Sequence, residues 1–509
     1  MALDNLNPRK YQETIFNTAK DKNTLVVLPT GLGKTMIALM LAIDRLAKIK
    51  GSKVLFLAPT RPLASQHKEY FQRFLPELRQ HVFTGKINQS KRMQLWQESD
   101  IIFSTPQCIA NDIDNGLDLS NVSLLIEDEA HRCLKNYDYV KVAQHYSSIA
   151  KNERILGLTA SPGSEASIIN EICKNLNISA VEIRTRDSED VLPYIQKLST
   201  EIIKIDFPKE LTEIKSILQE IYKSKIEELK NRQLLFGPTT KKAILELQAK
   251  IMKMIATGNK HFNVLRGASV CAQAIKLQYL LELLETQTLR SAYNYFQDLF
   301  KQAERKESKA VISLVKNANF IKAYSLVLQN LEKVEHPKIE KIKEIVRQEI
   351  DSGSSKILIF SQYRDTINII NKSLNDMGIN SKLFIGQQKK NDVGMNQKEQ
   401  KQVLEEFKQG KINVLVATSI GEEGLDIPEV NTVIFYEPVP SAIRKIQRAG
   451  RTARLKPGKL IILITKKTRD EGNYWAAIHK EKKMHEILKN MKDRINKKPT
   501  KKENLDDFI

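Results

Sequence analysis

The sequence predicts an α/β protein with two parallel-sheet lobes and an all-α domain inserted between them, and three observations predict it. From Thr24 to about Ile205 short apolar runs (TLVVLP, KVLFLAP, DIIFST, SLLIEDEA, ERILGLTAS) alternate with amphipathic helical stretches. The same rhythm returns after about Lys341 in KILIFSQ, SKLFIG, NVLVATS, NTVIFYE and KLIILIT. Each run has the length and apolar continuity of a strand buried on both faces, and strand–helix alternation calls for a parallel sheet covered by helices. Between the two rhythms, roughly Phe207 to Val334, strand signals are almost absent. Leu, Ile, Lys, Glu and Gln recur there at three- and four-residue spacing, as in LTEIKSILQEIYKSKIEELKNRQLL, which is the period of a helix. Phe236-Gly237-Pro238 interrupts that pattern, and His336-Pro337-Lys338 is expected to end it. The chain is therefore read as a first lobe over 1–205, a helical insert over 206–336, a second lobe over 337–470 and a basic helical tail over 471–509.

The bulk properties agree with a folded, multidomain chain. Its 509 residues suffice for two or three cores, and 41% hydrophobic with 28% charged residues excludes a disordered polymer. A formal net charge of +21 draws polyanions, so nucleic acid is the first partner to consider and an acidic membrane surface the second. The plainer alternative, on composition alone, is a lysine-rich organism whose proteins are all somewhat basic. Cys108, Cys133, Cys173 and Cys271 stand far apart without CxxC spacing, which argues against a zinc site or a disulfide framework and suits a reducing interior. Neither a signal-peptide pattern nor an apolar run of membrane-spanning length is present, so an intracellular protein that does not enter membranes is expected.

The strand TLVV leads into Leu28-Pro29-Thr30-Gly31-Leu32-Gly33-Lys34-Thr35 and then into an apolar helix. In that setting Thr30, Gly31 and Gly33 let the backbone wrap a phosphate, with helix N-terminal amides pointing at the anion. Lys34 would reach the β- and γ-phosphates of ATP, and the Thr35 hydroxyl would hold Mg²⁺. The loop departs from GxxxxGK[ST], because Leu28 stands where the first glycine belongs. Further on, the strand Leu124-Leu125-Ile126 ends in Glu127-Asp128-Glu129. Asp128 can hold the Mg²⁺ ion through its water shell, and Glu129 can orient and deprotonate an attacking water. Together with the phosphate loop, this acidic strand end reads as a nucleotide-hydrolysis site.

Over nearly its whole length the sequence resembles the superfamily 2 helicases. The matches, in order, are Tyr11-Gln12, PTGLGKT (29–35), APTRPLASQ (58–66), STPQ (104–107), DEAH (128–131), TASPG (159–163), FSQYRDT (360–366), ATSIGEEGLDIP (417–428) and QRAGRTAR (447–454). Within the superfamily it is most similar to the archaeal Hef helicase module and the Fanconi-anaemia M (FANCM) translocase, on the DEAH box, RTRDSEDVLPYIQ (184–196), FIGQ (384–387) and the placement of the helical insert. The resemblance implies two RecA-like lobes and an ATP-dependent DNA helicase or translocase acting on forks and Holliday junctions in repair or replication restart. It implies that Gln12 contacts adenine with Arg9 and Tyr11 nearby, and that Thr159 and Ser161 couple the nucleotide site to the strand-binding face. Gly424 and Asp426 would line the cleft near the ribose, and Gln447, Arg451 and Arg454 would complete the site from the second lobe. Arg451 and Arg454, three apart, are expected on one helix face, where a guanidinium can stabilise a transferring phosphoryl group once the lobes close. For Arg444 and Arg448 a surface basic helix is the plainer expectation.

Nucleic-acid contacts implied by the resemblance are Arg61, Gln66, Thr84, Gly85, Thr105, Pro106, Gln362, Arg364 and Thr418. Backbone contacts of this kind are sequence-independent and salt-sensitive. Lys223, Lys225, Lys230, Arg232, Lys241, Lys242, Lys250 and Lys253 suggest a basic grip on duplex arms, or equally a solvated helix face. The XPF-type nuclease motif ERKxxxD that follows the helicase in some Hef proteins is absent from this sequence, so cleavage is expected only from a separate nuclease partner. In the final KKPTKKENLDDFI, Leu505, Phe508 and Ile509 are spaced like the apolar plug of a sliding-clamp (PCNA) binding peptide, although Lys502 occupies its glutamine position. A cytoplasmic, nucleoid-associated protein of an archaeal cell is implied. Two other readings stay open: an RNA-directed duplex ATPase of the antiviral-sensor branch, and an ATP-gated duplex-binding translocase that does not separate strands.

Overall fold

In the computed structural model, which describes residues 6–259, 261–386, 394–418, 427–452 and 457–496, apolar runs form two sheets whose assigned pairings are all parallel. The first contains β1 (Thr24–Val27), β2 (Lys53–Leu57), β3 (Gln80–Phe83), β4 (Ile101–Ser104), β5 (Val122–Asp128), β6 (Ile155–Thr159) and β7 (Ala180–Ile183), in the order β3-β4-β2-β5-β6-β1-β7. Strands β1, β4, β5 and β6 are buried along their whole length, and apolar clusters cover both faces, one around Ile37, Leu41 and Phe56 and the other around Ile109, Tyr139 and Ile169. The second sheet contains β8 (Leu198–Ile205), β9 (Ile357–Phe360), β10 (Ser381–Phe384), β11 (Val414–Ala417), β12 (Thr432–Phe435) and β13 (Gly458–Thr465), in the order β10-β11-β9-β12-β13-β8.

That order moves one expected boundary. Residues 198–205, read as the end of the first lobe, pair with β13 from Gly458↔Leu198 to Thr465↔Ile205 and so form an edge of the second sheet. The alternation in this strand would serve either sheet, and only the eight-residue ladder with β13 assigns it. The chain crosses between lobes a second time. The helix Arg469–Asn496, expected as part of a basic tail, starts beside the second lobe and buries Met484 and Leu488 in the core of the first.

Between the lobes stand six helices, Thr212–Asn231, Lys241–Ala256, Phe262–Thr286, Leu289–Glu304, Lys309–Val315 and Ala318–Asn330. They enclose two cores of their own, one around Leu218, Leu281 and Phe296 and one around Leu229, Ile251 and Val270. The corner Thr286-Gln287-Thr288 is buried against the second lobe, where the Thr286 carbonyl accepts from Lys338 Nζ at 3.3 Å. Lys338 also pairs with Asp470 at 2.5 Å, both side chains fully buried. Among the described residues no single helix is long and apolar enough to cross a membrane.

His336 caps the helix Pro337–Asp351 by accepting from the Lys338 backbone N–H at 3.3 Å. Burial, reinforced by the Lys338 ammonium, holds its imidazole well below its ordinary value, so it is neutral in the folded chain. Above about pH 6.5 the residue is neutral in both states and contributes no pH dependence. As pH falls below that, the unfolded chain takes up a proton that the folded chain refuses, and stability is lost at up to about 1.4 kcal/mol per pH unit. Asparagine keeps a capping acceptor without titrating. Urea unfolding of wild type and His336→Asn at pH 6.5 and 5.5 is expected to show a loss about 1 kcal/mol smaller for the variant, and equal losses would refute this assignment.

Candidate nucleotide-hydrolysis site and nucleic-acid face

The phosphate loop follows β1, Asp128 ends β5 and Thr159 ends β6, and the topology places these three strands side by side. Their carboxyl ends therefore converge at one end of the first sheet, the usual ligand position of an open parallel sheet. Gly31 and Gly33 adopt φ of 85° and 76°, a left-handed conformation that glycine enters without steric cost. At Gly33 a Cβ would lie 2.3 Å from Gln12 Nε2, so the loop also has no room for a side chain there. The helix Lys34–Lys48 begins directly after it, and Lys34 Nζ folds back to donate to the Leu28 carbonyl at 3.0 Å. A carbonyl thus holds the ammonium over the concavity that a phosphate would fill.

Gln12 is buried and braces this loop. Its Nε2 donates to the carbonyls of Leu32 and Gly33 at 3.2 and 3.4 Å, its Oε1 accepts from Arg9 N–H at 2.8 Å, and Tyr11 OH donates to Leu32 O at 2.7 Å. Arg9 donates to Tyr11 OH at 3.0 Å and lies 5.2 Å from the ring centroid of Tyr194. Tyr194 comes from the segment 184–196 and was not singled out by its own residues.

The three successive carboxyls at the end of β5 differ by environment. Glu127 is fully buried facing the Cys133 thiol, and burial pushes its carboxyl well above the ordinary range, so it is neutral. Burial also pushes Asp128 up, but the hydrogen bond and charge of His67 and the Lys34 ammonium outweigh it and keep the carboxylate ionised. His67 Nε2 lies 2.9 Å from Asp128 Oδ2 and its ring packs 4.3 Å from Phe56, while Tyr139 OH donates to the Asp128 carbonyl at 2.7 Å. His67 sits within the helix Arg61–Phe74 with no motif signal, and only the fold brings it to the acidic pair.

Glu129 stands at φ 53°, a strained position for a residue with a Cβ. Its buried Oε2 makes no hydrogen bond, at 3.4 Å from His131 Nδ1. That nitrogen is 3.2 Å from Thr159 Oγ1, which accepts from Ser161 N–H at 3.1 Å, and Ser161 Oγ donates to Met484 Sδ at 2.9 Å. The proposed coupling pair, Thr159 and Ser161, therefore joins the carboxylates to the returning helix. Among the described residues no group of three His, Cys, Asp or Glu side chains could hold a metal alone. The oxygen donors of Thr35 and Asp128 fit a hydrated Mg²⁺ that shares its shell with phosphate oxygens.

From the second lobe, the helix Ala442–Ala449 brings Gln447 and then Arg451 to the cleft, both nearly buried. A Cβ on Gly450 would lie 2.7 Å from Thr30 Cβ, so this segment touches the phosphate loop. Arg451 does not lie on the helix where it was expected. The helix ends at Ala449, and Arg451 lies past the Gly450 cap, its carbonyl accepting from Val430 N–H at 3.2 Å. Arg448, expected on a surface helix, has no exposure at all, and its guanidinium lies 5.0 and 5.6 Å from the ring centroids of Phe360 and Phe435. Arg454, Gly424 and Asp426, and the tail residues Leu505, Phe508 and Ile509, lie outside the described residues.

The nucleic-acid candidates fall on the other half of the same sheet edge. Arg61 and Gln66 follow β2, Thr84 and Gly85 follow β3, and Thr105 and Pro106 follow β4, three strands that neighbour one another in the order β3-β4-β2. Gln362 and Arg364 follow β9, and Thr418 follows the adjacent β11 in the second sheet. Thr84, Pro106 and Thr418 are buried, whereas Gly85 is exposed. On the insert, Lys223, Lys230, Lys250 and Lys253 are exposed, but Lys241 pairs with Glu282 at 2.7 Å, Lys242 approaches Glu246 at 3.8 Å and Arg232 pairs with Glu228 at 3.1 Å. Burial of Lys225 lowers its pKa.

Comparison with known proteins matches residues 9–169 to the family described as "DEAD/DEAH box helicase" and residues 337–456 to "Helicase conserved C-terminal domain". Residues 210–334 match "Putative ATP-dependent RNA helicase, helical bundle". A crystal structure of the Pyrococcus furiosus Hef helicase domain is 43% identical, with a TM-score of 0.70 over 92% of this chain and 98% of that one. A Methanocaldococcus jannaschii protein called "Putative ATP-dependent RNA helicase" is 41% identical over 97% of this chain and 62% of its own length. The Schizosaccharomyces pombe "ATP-dependent DNA helicase fml1" is 33% identical over 91% of this chain and 57% of its own length. The chain thus spans about three-fifths of the length of these two curated relatives.

Proposed function

The chain belongs to the Hef/FANCM family of superfamily 2 helicases, and from that premise we propose that it is an ATP-driven DNA helicase or translocase acting on forks and Holliday junctions in repair or replication restart. The observation that carries this reading is the division of one sheet edge. Strands β5, β6 and β1 present the phosphate loop and carboxylates, and β3, β4 and β2 present the strand-contacting candidates. Hydrolysis and strand grip then share one rigid sheet, while the segment that carries Arg451 meets the phosphate loop from the other lobe through Gly450.

In this reading Lys34 and the loop amides bind the phosphates of ATP, and Gln12 holds the loop in shape with Arg9 and Tyr194 beside it. Mg²⁺ held by Thr35 and Asp128 neutralises phosphate charge when bound. Glu129 orients and deprotonates the attacking water, and Arg451 with Arg454 stabilises charge on the transferring phosphoryl group. Gly424 and Asp426 complete the cleft near the ribose. Because the arginines enter only when the lobes approach, each hydrolysis cycle opens and closes the groove that holds the strand. The RNA reading draws support from the names of the M. jannaschii relative and of the helical-bundle family, and the DNA reading from that of fml1.

ATPase rates with no nucleic acid, single-stranded DNA, duplex, a synthetic fork, a four-way junction and double-stranded RNA decide between these, with Lys34→Ala as the blank. Strongest stimulation by fork or junction supports the DNA motor. Preference for double-stranded RNA transfers the chain to the RNA reading, and equal rates throughout refute a motor. Strand displacement on the fork separates a helicase from a translocase that only tracks duplex. Leu505, Phe508 and Ile509 are proposed to dock on a sliding clamp (PCNA), and a nucleoid-associated location follows from a DNA substrate. A peptide of residues 497–509 is expected to bind purified clamp and to lose binding on Phe508→Ala.

A further inference from the structure

We propose that Glu437 is a positioning residue that couples occupancy of the strand-contacting turn 361–364, and the seating of the helical insert, to the helix that carries the arginine segment. This inference rests on the DNA-motor reading above and deepens it. Glu437 follows β12 and is only 2% exposed. A carboxyl group in such a place is costly to desolvate unless several donors surround it. Three parts of the molecule surround this one.

From the strand-contacting turn, Ser361 Oγ donates to Oε2 at 2.9 Å and the Gln362 backbone N–H to Oε1 at 2.7 Å. From the insert, Gln287 Nε2 approaches Oε2 at 3.4 Å, while Gln287 Oε1 accepts from Thr366 Oγ1 at 2.8 Å. Burial pushes the Glu437 carboxyl above its ordinary range, the buried Arg448 guanidinium of the arginine helix opposes that push, and Arg444 of the same helix donates to Gln362 Oε1 at 3.3 Å. The Arg448 side chain is clamped between Phe360 and Phe435, at the ends of the two strands that flank Glu437. It cannot follow a movement of the carboxylate by reorienting in solvent, so a shift of either is felt by the other.

The consequence is directional. A backbone strand seated on Gln362 and Arg364 pulls on the turn whose N–H and hydroxyl hold Glu437. Glu437 in turn sets the charge balance and rotation of the helix Ala442–Ala449, from which Gln447 and Arg451 project toward the phosphate loop. The insert enters the same junction at Gln287, at the corner between its two helices Phe262–Thr286 and Leu289–Glu304.

The test is the ATPase of the full chain, alone and with saturating synthetic DNA fork, for wild type, Glu437→Gln, Glu437→Asp and Gln287→Met. Glutamine keeps the shape and one acceptor oxygen but replaces the other, and with it the acidic group that Arg448 faces. Fork-stimulated kcat of Glu437→Gln is expected to fall about ten-fold while unstimulated kcat and KM for ATP stay within about two-fold. Glu437→Asp is expected to recover part of the stimulation, and Gln287→Met to reduce stimulation by the fork more than by single-stranded DNA. Unchanged stimulation in Glu437→Gln overturns the proposal, as does a parallel fall of stimulated and unstimulated rates, which would mark a merely structural residue. If Glu437→Gln loses its cooperative melting transition, Gln287→Met decides instead, and full fork stimulation in that variant overturns the coupling. A wild type that no DNA stimulates refutes the motor reading and this inference with it, whereas a stimulated wild type with equally stimulated variants refutes the inference alone.

Discussion

Replacing Glu129 by glutamine is expected to lower kcat for ATP hydrolysis about 10³-fold while leaving KM for ATP within about two-fold. The side chain follows directly on β5, and its left-handed backbone turns it away from the fully buried Glu127. Its Oε2 is buried 3.4 Å from His131 Nδ1, at the strand end where the acidic residues meet the phosphate loop. Glutamine preserves volume and backbone demands but cannot accept the proton, so binding survives and the chemical step does not. Single-turnover hydrolysis beside equilibrium ATP binding separates these quantities. A loss of under about ten-fold would move the base role elsewhere. A loss of ATP binding instead would mean that Glu129 holds the loop. The stalled variant should also hold fork DNA longer in the presence of ATP.

Arg451→Ala is expected to produce a loss at least as large, about 10³-fold or more in kcat, again with ATP binding retained. The residue sits beyond the helix end, tied by its own carbonyl to Val430 N–H, so truncating the side chain leaves its path intact. Its neighbour Gly450 touches Thr30 of the phosphate loop, so the segment that carries Arg451 meets that loop across the lobe interface. Arg451→Lys should rescue little, because a point charge lacks the planar fork that matches phosphoryl oxygens. A variant with normal kcat and weakened, salt-sensitive fork binding would instead make Arg451 a backbone-phosphate contact.

Much of this site was legible in the residues. The phosphate loop and the acidic strand end declare themselves because their chemistry is local: glycines at left-handed positions, a lysine at a helix start, carboxylates closing an apolar run. The helical insert was legible from its period for the same reason. Arg448 was not. Its burial depends on Phe360 and Phe435, which precede it by 88 and 13 residues and meet only when β9 pairs with β12. His67 was equally silent, since it becomes a partner of Asp128 only because β2 lies against β5.

By itself the sequence determined the elements, their alternation, the separate helical insert and the candidates for a nucleotide site. Such features rest on side-chain periodicity and short-range backbone preference, which act over a few residues. Tertiary structure alone decided that Leu198–Ile205 completes the second sheet, that the helix Arg469–Asn496 returns to the first lobe, and that the phosphate-loop and strand-contact candidates fall on separate halves of one sheet edge. It alone enclosed Glu437, Gln287 and Arg448 in one junction. The reason is physical: strand order and the burial of charge depend on contacts between segments far apart in the chain, and no local pattern encodes which of two similar sheets a strand will join.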